Sequence, residues 1–81
     1  MQRVYYKHTA VGTFWIRPDN VHGWSLFIDE DGNVELLGSY SSPEAAADDV
    51  YTQHTGWNEW DIPNRPDVPT DLGEWTLATA S

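Results

Sequence analysis

The chain predicts a small α+β domain: an antiparallel sheet of three or four strands, packed by one main helix over residues 42–55 and followed by a tail rich in tryptophan and proline. Three observations lead there. The first half alternates aromatic and β-branched residues with polar ones, the period of strands buried on one face. A Ser-Pro corner then opens an alanine-rich stretch with helical spacing. The last third sets Trp57, Trp60 and Trp75 among Pro63, Pro66 and Pro69, which favours an extended path held by large side chains.

With 81 residues, one core is all the chain can build, because a domain of this size buries only about two-thirds of the surface its unfolded form exposes. A single unit over 1–81 is expected, with a sheet-plus-helix core at 1–56 and a wrapping tail at 57–81.

The elements follow in order. Residues 3–8 and 13–17 are strand-like, with a bend at Gly12 and a stop at Pro18-Asp19-Asn20. Next comes a hairpin in which Trp24, Leu26 and Ile28 alternate with Ser25, Phe27 and Asp29, and Val34 and Leu36 alternate with Glu35 and Leu37. A two-residue Asp31-Gly32 loop would set Ile28 opposite Glu35 and mix the faces. A three-residue Glu30-Asp31-Gly32 loop sets Ile28 opposite Val34 and Leu26 opposite Leu36, so that register is expected, with Gly32 supplying a positive φ.

Ser41-Ser42-Pro43-Glu44 starts the helix, either as a capping box from Ser41 to Glu44 or with Ser42 as N-cap and Pro43 at the first helical position. At helical spacing Ala46, Ala47, Val50, Tyr51 and His54 form one stripe, Ala45, Asp48, Asp49 and Thr52 face away, and Gly56 is the expected stop. The stripe is expected to pack on Trp24, Leu26, Ile28, Val34, Leu36, Phe14 and Ile16. One helical turn is expected over residues 70–75.

Charge is the strongest functional signal. Between Arg17 and Arg65 stand ten carboxylates, Asp19, Asp29, Glu30, Asp31, Glu35, Glu44, Asp48, Asp49, Glu59 and Asp61, and no lysine or arginine; the net charge is −9. A disordered acidic tail is excluded by a hydrophobic fraction of 40% and five tryptophans. Solubility is served by mixed signs. A one-signed field on a folded chain instead speeds and orients association with a cationic partner.

Other chemistries find little support. There is no cysteine for a disulfide or a thiolate metal site, so a reducing compartment fits. The N-terminal residues lack the apolar run of a signal peptide and no stretch is long enough to span a bilayer, so a cytoplasmic protein without membrane contact is expected. Counted from Asp29, an EF-hand would need glycine at its sixth position and glutamate at its twelfth, where Val34 and Tyr40 stand. His8, His22 and His54 lack metal-ligand spacing, and Gly23-Trp24-Ser25-Leu26-Phe27 lacks the second glycine of a nucleophile elbow. No enzyme activity, metal or cofactor is expected. Pro63-Asn64-Arg65-Pro66 has the form of a PxxP ligand, but flanking tryptophans tie such a segment down just as well.

The stretch Leu37-Gly38-Ser39-Tyr40-Ser41-Ser42-Pro43-Glu44-Ala45-Ala46-Ala47, after a Trp-containing hairpin, resembles the three-stranded-sheet-plus-helix layout of AP2-type and integrase arm-type DNA-binding domains. Those domains present basic residues from the sheet, whereas this sheet offers Lys7 and Arg17 among many acids, so the resemblance implies the layout and not DNA binding.

In size, charge and lack of catalytic motifs the chain looks like the small acidic anti-CRISPR proteins of phages that inhibit type I Cascade complexes, type I-C among them, by imitating DNA. That resemblance implies a monomeric stoichiometric blocker in the bacterial cytoplasm. It would bind the Lys/Arg-lined site, on a Cas8-type or other Cascade subunit, where duplex and PAM are recognised, without touching nucleic acid itself. The contact residues expected are Asp29, Glu30, Asp31 and Glu35 on the hairpin and Glu44, Asp48 and Asp49 on the helix, then Asp19, Glu59 and Asp61, with Trp15 or Phe27 as anchors. A different reading is a small protein-binding adaptor that uses exposed aromatics and the proline tail.

Overall fold

The computed structural model describes residues 2–19, 23–62, 68–69 and 71–80. Four strands come first: β1 (Gln2–Thr9), β2 (Gly12–Pro18), β3 (Trp24–Glu30) and β4 (Asn33–Tyr40). Helix α1 (Pro43–Thr52), a 3-10 turn (Leu72–Glu74) and β5 (Thr76–Ala80) complete the chain. All neighbours are antiparallel in the order β4-β3-β2-β1-β5. The first four strands form a meander, and the C-terminal segment returns past the helix to pair with the free side of β1.

The expected antiparallel α+β fold is therefore present, with five strands rather than three or four. The missed strand, Thr76-Leu77-Ala78-Thr79-Ala80, has small residues and no strong alternation. Its strand state comes from hydrogen bonds to β1, with Val4 opposite Ala78 and Tyr6 opposite Thr76.

The hairpin register also differs from expectation. The loop is the two-residue Asp31-Gly32, both at positive φ (52° and 90°) as a type I′ turn requires. It pairs Asp29 with Val34, Ile28 with Glu35 and Phe27 with Leu36. The faces are re-sorted by a register shift: Leu36 lies opposite Phe27, but Gly38 lies opposite Leu26, leaving Leu37 as the extra residue of a bulge. Leu37 thereby reaches the core, while Val34 and Leu36, expected inside, stay 60% and 57% exposed.

Helix α1 begins at the second of the two expected starts. Ser42 is extended, its Oγ accepts the Ala45 N–H at 3.1 Å, and Pro43 occupies the first helical position, where no N–H is needed. The helix ends at Thr52, short of residue 55. Gln53, not Gly56, takes the left-handed C-terminal position, at φ 61°, and the His54 N–H donates to the Asp49 carbonyl at 2.9 Å.

Pro43, Ala46, Ala47 and Val50 are buried on the sheet, and the small alanines let the helix approach closely. Tyr51 and His54, expected on the same stripe, are exposed: Tyr51 is still helical but lies outside the buried set Pro43, Ala46, Ala47 and Val50, and His54 lies beyond the end of the helix.

Phe14, Ile16, Leu26 and Ile28 meet Ala46, Ala47, Val50, Trp60 and Trp75 in one core. Trp60 is fully buried, its ring 4.7 Å from Phe14 at a T-shaped angle, and its Nε1–H donates to the Val50 carbonyl at 2.9 Å. Such a ring pair adds about 0.5–1.5 kcal/mol beyond the area it buries. The tryptophans thus pin the tail across the core, and Leu72–Glu74 makes the expected helical turn.

Candidate acidic docking surface

The carboxylates separate into two kinds according to what their oxygens touch. At the C-terminal end of α1, Asp61 accepts from the Thr55 N–H at 3.1 Å, the Thr55 hydroxyl at 2.8 Å and the Gly56 N–H at 2.7 Å. Gln53 Nε2 donates to the carbonyls of Trp60 and Ile62. Together these bonds close the loop that seats Trp60, so Asp61 serves the fold.

Asp49 does likewise. It is half-buried and accepts the Tyr40 hydroxyl at 2.8 Å, joining α1 to β4. Burial pushes the Tyr40 phenol well above its usual range, and the bond to Asp49 adds to the shift. Asp29 accepts the Gly32 N–H at 2.9 Å and braces the hairpin turn, while Asp19 accepts the Gly23 N–H at 3.0 Å. Aspartate's short side chain reaches a backbone N–H a few residues away, which is why it favours turns and caps.

The other kind faces solvent. Glu30, Asp31 and Glu35 are exposed at the hairpin end, and Glu44 and Asp48 are exposed on α1. At the type I′ turn a hollow of about 330 Å³ is lined by Ile28, Glu30, Gly32, Asn33, Val34 and Glu35. A neighbouring hollow of about 450 Å³, bounded by the β1–β2 turn, brings Glu59 beside Glu30 and Asp31. Glu44 and Asp48 instead border a separate hollow of about 300 Å³ with Asp71 and Leu72. The expected contact residues therefore form two surfaces, with Asp29 and Asp49 of the set engaged in holding the fold.

A second surface was only partly foreseen. On the sheet face turned away from α1, Tyr6 pairs with Trp15, Trp15 with Phe27 and Phe27 with Leu36, a transverse row across four strands. The Tyr6 and Trp15 rings are 5.0 Å apart. The Arg17 guanidinium lies 5.4 Å from the Trp15 ring centre and 5.8 Å from that of Phe27. The signal was the alternation itself: Trp15 and Phe27 fall between the buried pairs Phe14/Ile16 and Leu26/Ile28.

Among the described residues no three histidine or carboxylate side chains converge to hold a metal ion. His8 Nδ1 is 2.8 Å from the Thr13 hydroxyl, and His54 is exposed rather than half-buried beside Tyr51. His22 and the Pro63-Asn64-Arg65-Pro66 segment lie outside the described residues. No described helix is long and apolar enough to cross a membrane. No protein-family model matches the chain, and no curated protein or solved structure matches it.

Proposed function

We propose that this protein binds a positively charged, nucleic-acid-binding surface of another protein and blocks it by presenting carboxylates in place of phosphates. The observation that carries this reading is the set Glu30, Asp31 and Glu35, exposed on a type I′ hairpin, with Glu44 and Asp48 forming a second exposed acidic surface on the helix. Duplex DNA offers one charge per roughly 1.7 Å of its axis and is met by arrays of lysine and arginine. A carboxylate array held by a folded scaffold engages the same arrays through charge-assisted hydrogen bonds, with the backbone that carries it already ordered before binding.

The target class that fits is the Lys/Arg-lined duplex and PAM site of a type I CRISPR effector, which would make the protein an anti-CRISPR inhibitor of the DNA-mimic type. The test is competition. Added to an effector complex with labelled target duplex, the protein displaces DNA at one copy per complex, and displacement weakens as salt rises. Glu30→Lys, Asp31→Lys and Glu35→Lys together abolish displacement while the fold persists. Undiminished displacement by this variant and by Glu44→Lys with Asp48→Lys overturns the reading.

The row Tyr6–Trp15–Phe27–Leu36 supports a second reading, an adaptor that docks by its aromatic sheet face, since Trp, Tyr and Arg dominate interface hot spots. There Trp15→Ala would abolish binding, and salt would leave it unchanged.

A further inference from the structure

β4 is an edge strand: it closes the order β4-β3-β2-β1-β5, and no described strand pairs with its outer side. Proteins usually blunt such an edge with charged side chains, lysine above all, or with prolines, bulges or short length, because unpaired N–H and C=O groups recruit further strands. β4 runs for eight residues with neither lysine nor proline, and its bulge at Leu37 leaves Asn33–Leu36 regular.

In a two-residue hairpin the flanking pair, here Glu30 and Asn33, exchanges hydrogen bonds, and pairing then alternates. The backbone groups of Asn33 and Glu35 therefore turn toward β3, and those of Val34 and Leu36 turn outward.

Side chains along this edge are sorted by face. Val34 and Leu36, more than half exposed, lie on the face of Phe27, whereas Glu35 lies on the face of Ile28 beside the hollow it shares with Glu30. An added strand would lay alternate residues over Val34 and Leu36 and the intervening ones against Glu35 and Glu30.

A second copy of this chain is a poor occupant, because antiparallel pairing of the regular segment Asn33–Leu36 with itself, Val34 opposite Leu36, sets Glu35 against Glu35 of the other copy, and like charges across a pair destabilise it. A strand with apolar residues on one face and lysine or arginine on the other satisfies both sides.

We infer that the free edge of β4 docks a basic, alternating β-strand of a partner by strand addition, its apolar side chains covering Val34 and Leu36 and its cations meeting Glu35 and Glu30. This rests on the docking reading above and names the partner element that reading left open. Main-chain hydrogen bonds supply affinity and the alternate side chains supply specificity.

The experiment uses the full chain, isotope-labelled, with three capped peptides of β4's length: arginine alternating with valine, glutamate alternating with valine, and arginine alternating with proline. The arginine–valine peptide is expected to bind and to slow hydrogen exchange at the Val34 and Leu36 amides. The glutamate–valine peptide is expected to bind at least about tenfold more weakly, a difference of about 1.4 kcal/mol. Glu35→Arg is expected to narrow or reverse that preference with the fold unchanged by its amide spectrum.

Equal binding of the arginine–proline peptide, without protection at Val34 and Leu36, overturns strand addition and leaves acidic docking standing. Binding of neither cationic peptide at low salt also overturns strand addition, and DNA displacement then judges the docking reading independently. A concentration-dependent dimer with protected β4 amides overturns the inference as well, since a second copy would then own the edge.

Discussion

The loop after α1 and the tip of the β3–β4 hairpin are both rich in carboxylates, yet they use them in opposite ways. After α1, Asp61 has three donors from Thr55 and Gly56, and on the helix Asp49 takes the Tyr40 hydroxyl, so these carboxylates are engaged in holding the fold. At the tip only Asp29 is engaged in this way, and Glu30, Asp31 and Glu35 point into solvent. Position separates the roles: Asp29 and Asp61 sit where a turn brings backbone N–H groups to a short side chain, whereas Glu30, Asp31 and Glu35 project from the exposed end of the hairpin. Formal charge alone therefore overstates the number of carboxylates open to direct pairing with a partner's cations.

Substitutions can break this contrast from either side. The largest effect expected is on binding: Glu30→Lys, Asp31→Lys and Glu35→Lys together should weaken a cationic partner by at least about a hundredfold, several kcal/mol of charge complementarity. Thermal unfolding of the same variant should be unchanged or slightly raised. Should it melt far below the parent, the tip carboxylates belong with Asp61 as structural groups.

Asp61→Ala tests the other side. It strands the Thr55 and Gly56 N–H groups and loosens the seat of Trp60, with an expected cost of about 2–3 kcal/mol in urea unfolding. Partner affinity, measured where the variant is folded, should barely change.

Tyr40→Phe removes the bond to Asp49 and should cost about 1 kcal/mol at neutral pH. It also carries a pH signature. The folded phenol titrates above the unfolded one, so Tyr40's contribution is complete below the unfolded pKa near pH 10 and fades as pH rises toward the folded value. The parent should lose stability across that alkaline window, and the phenylalanine variant should lose less; parallel curves would show that the hydroxyl is not held as described.

The smallest effect sharpens the contrast on the helix. Glu44 and Asp48 are one turn apart and both exposed, so Asp48→Lys replaces a repulsive pair with an attractive one and should stabilise by roughly 0.3–0.5 kcal/mol. A melt that fails to rise would mean that Asp48 has a structural partner.

Much of the architecture was legible because it is local. The Ser42-Pro43 start requires one hydroxyl and one missing N–H within three residues, and the Asp31-Gly32 turn carries its own backbone preference. The three-residue loop expected from the sequence sets that preference aside. It assumes that one alternation runs the whole length of β4, whereas the bulge at Leu37 lets the strand change phase midway. β5 was illegible for a related reason, since Thr76–Ala80 becomes a strand by pairing with β1, some seventy residues away in the chain.

The sequence by itself determined the −9 charge, the two-residue period of the strands, the helix cap and the pairing of bulky tryptophans with a proline-bearing tail. These are properties of neighbouring residues, settled by side-chain chemistry and backbone preference. The alternation of β2 and β3 also marked the face that α1 covers, Phe14, Ile16, Leu26 and Ile28, and left Trp15 and Phe27 on the opposite one. Only the tertiary structure decided that Val34 and Leu36 would leave the covered face and that Trp60 and Trp75 would join its core. It also decided which carboxylates would meet a donor and which would face solvent: the donors lie only three to nine residues away in the chain, but the turns and the helix–strand packing that bring them within reach belong to the folded state.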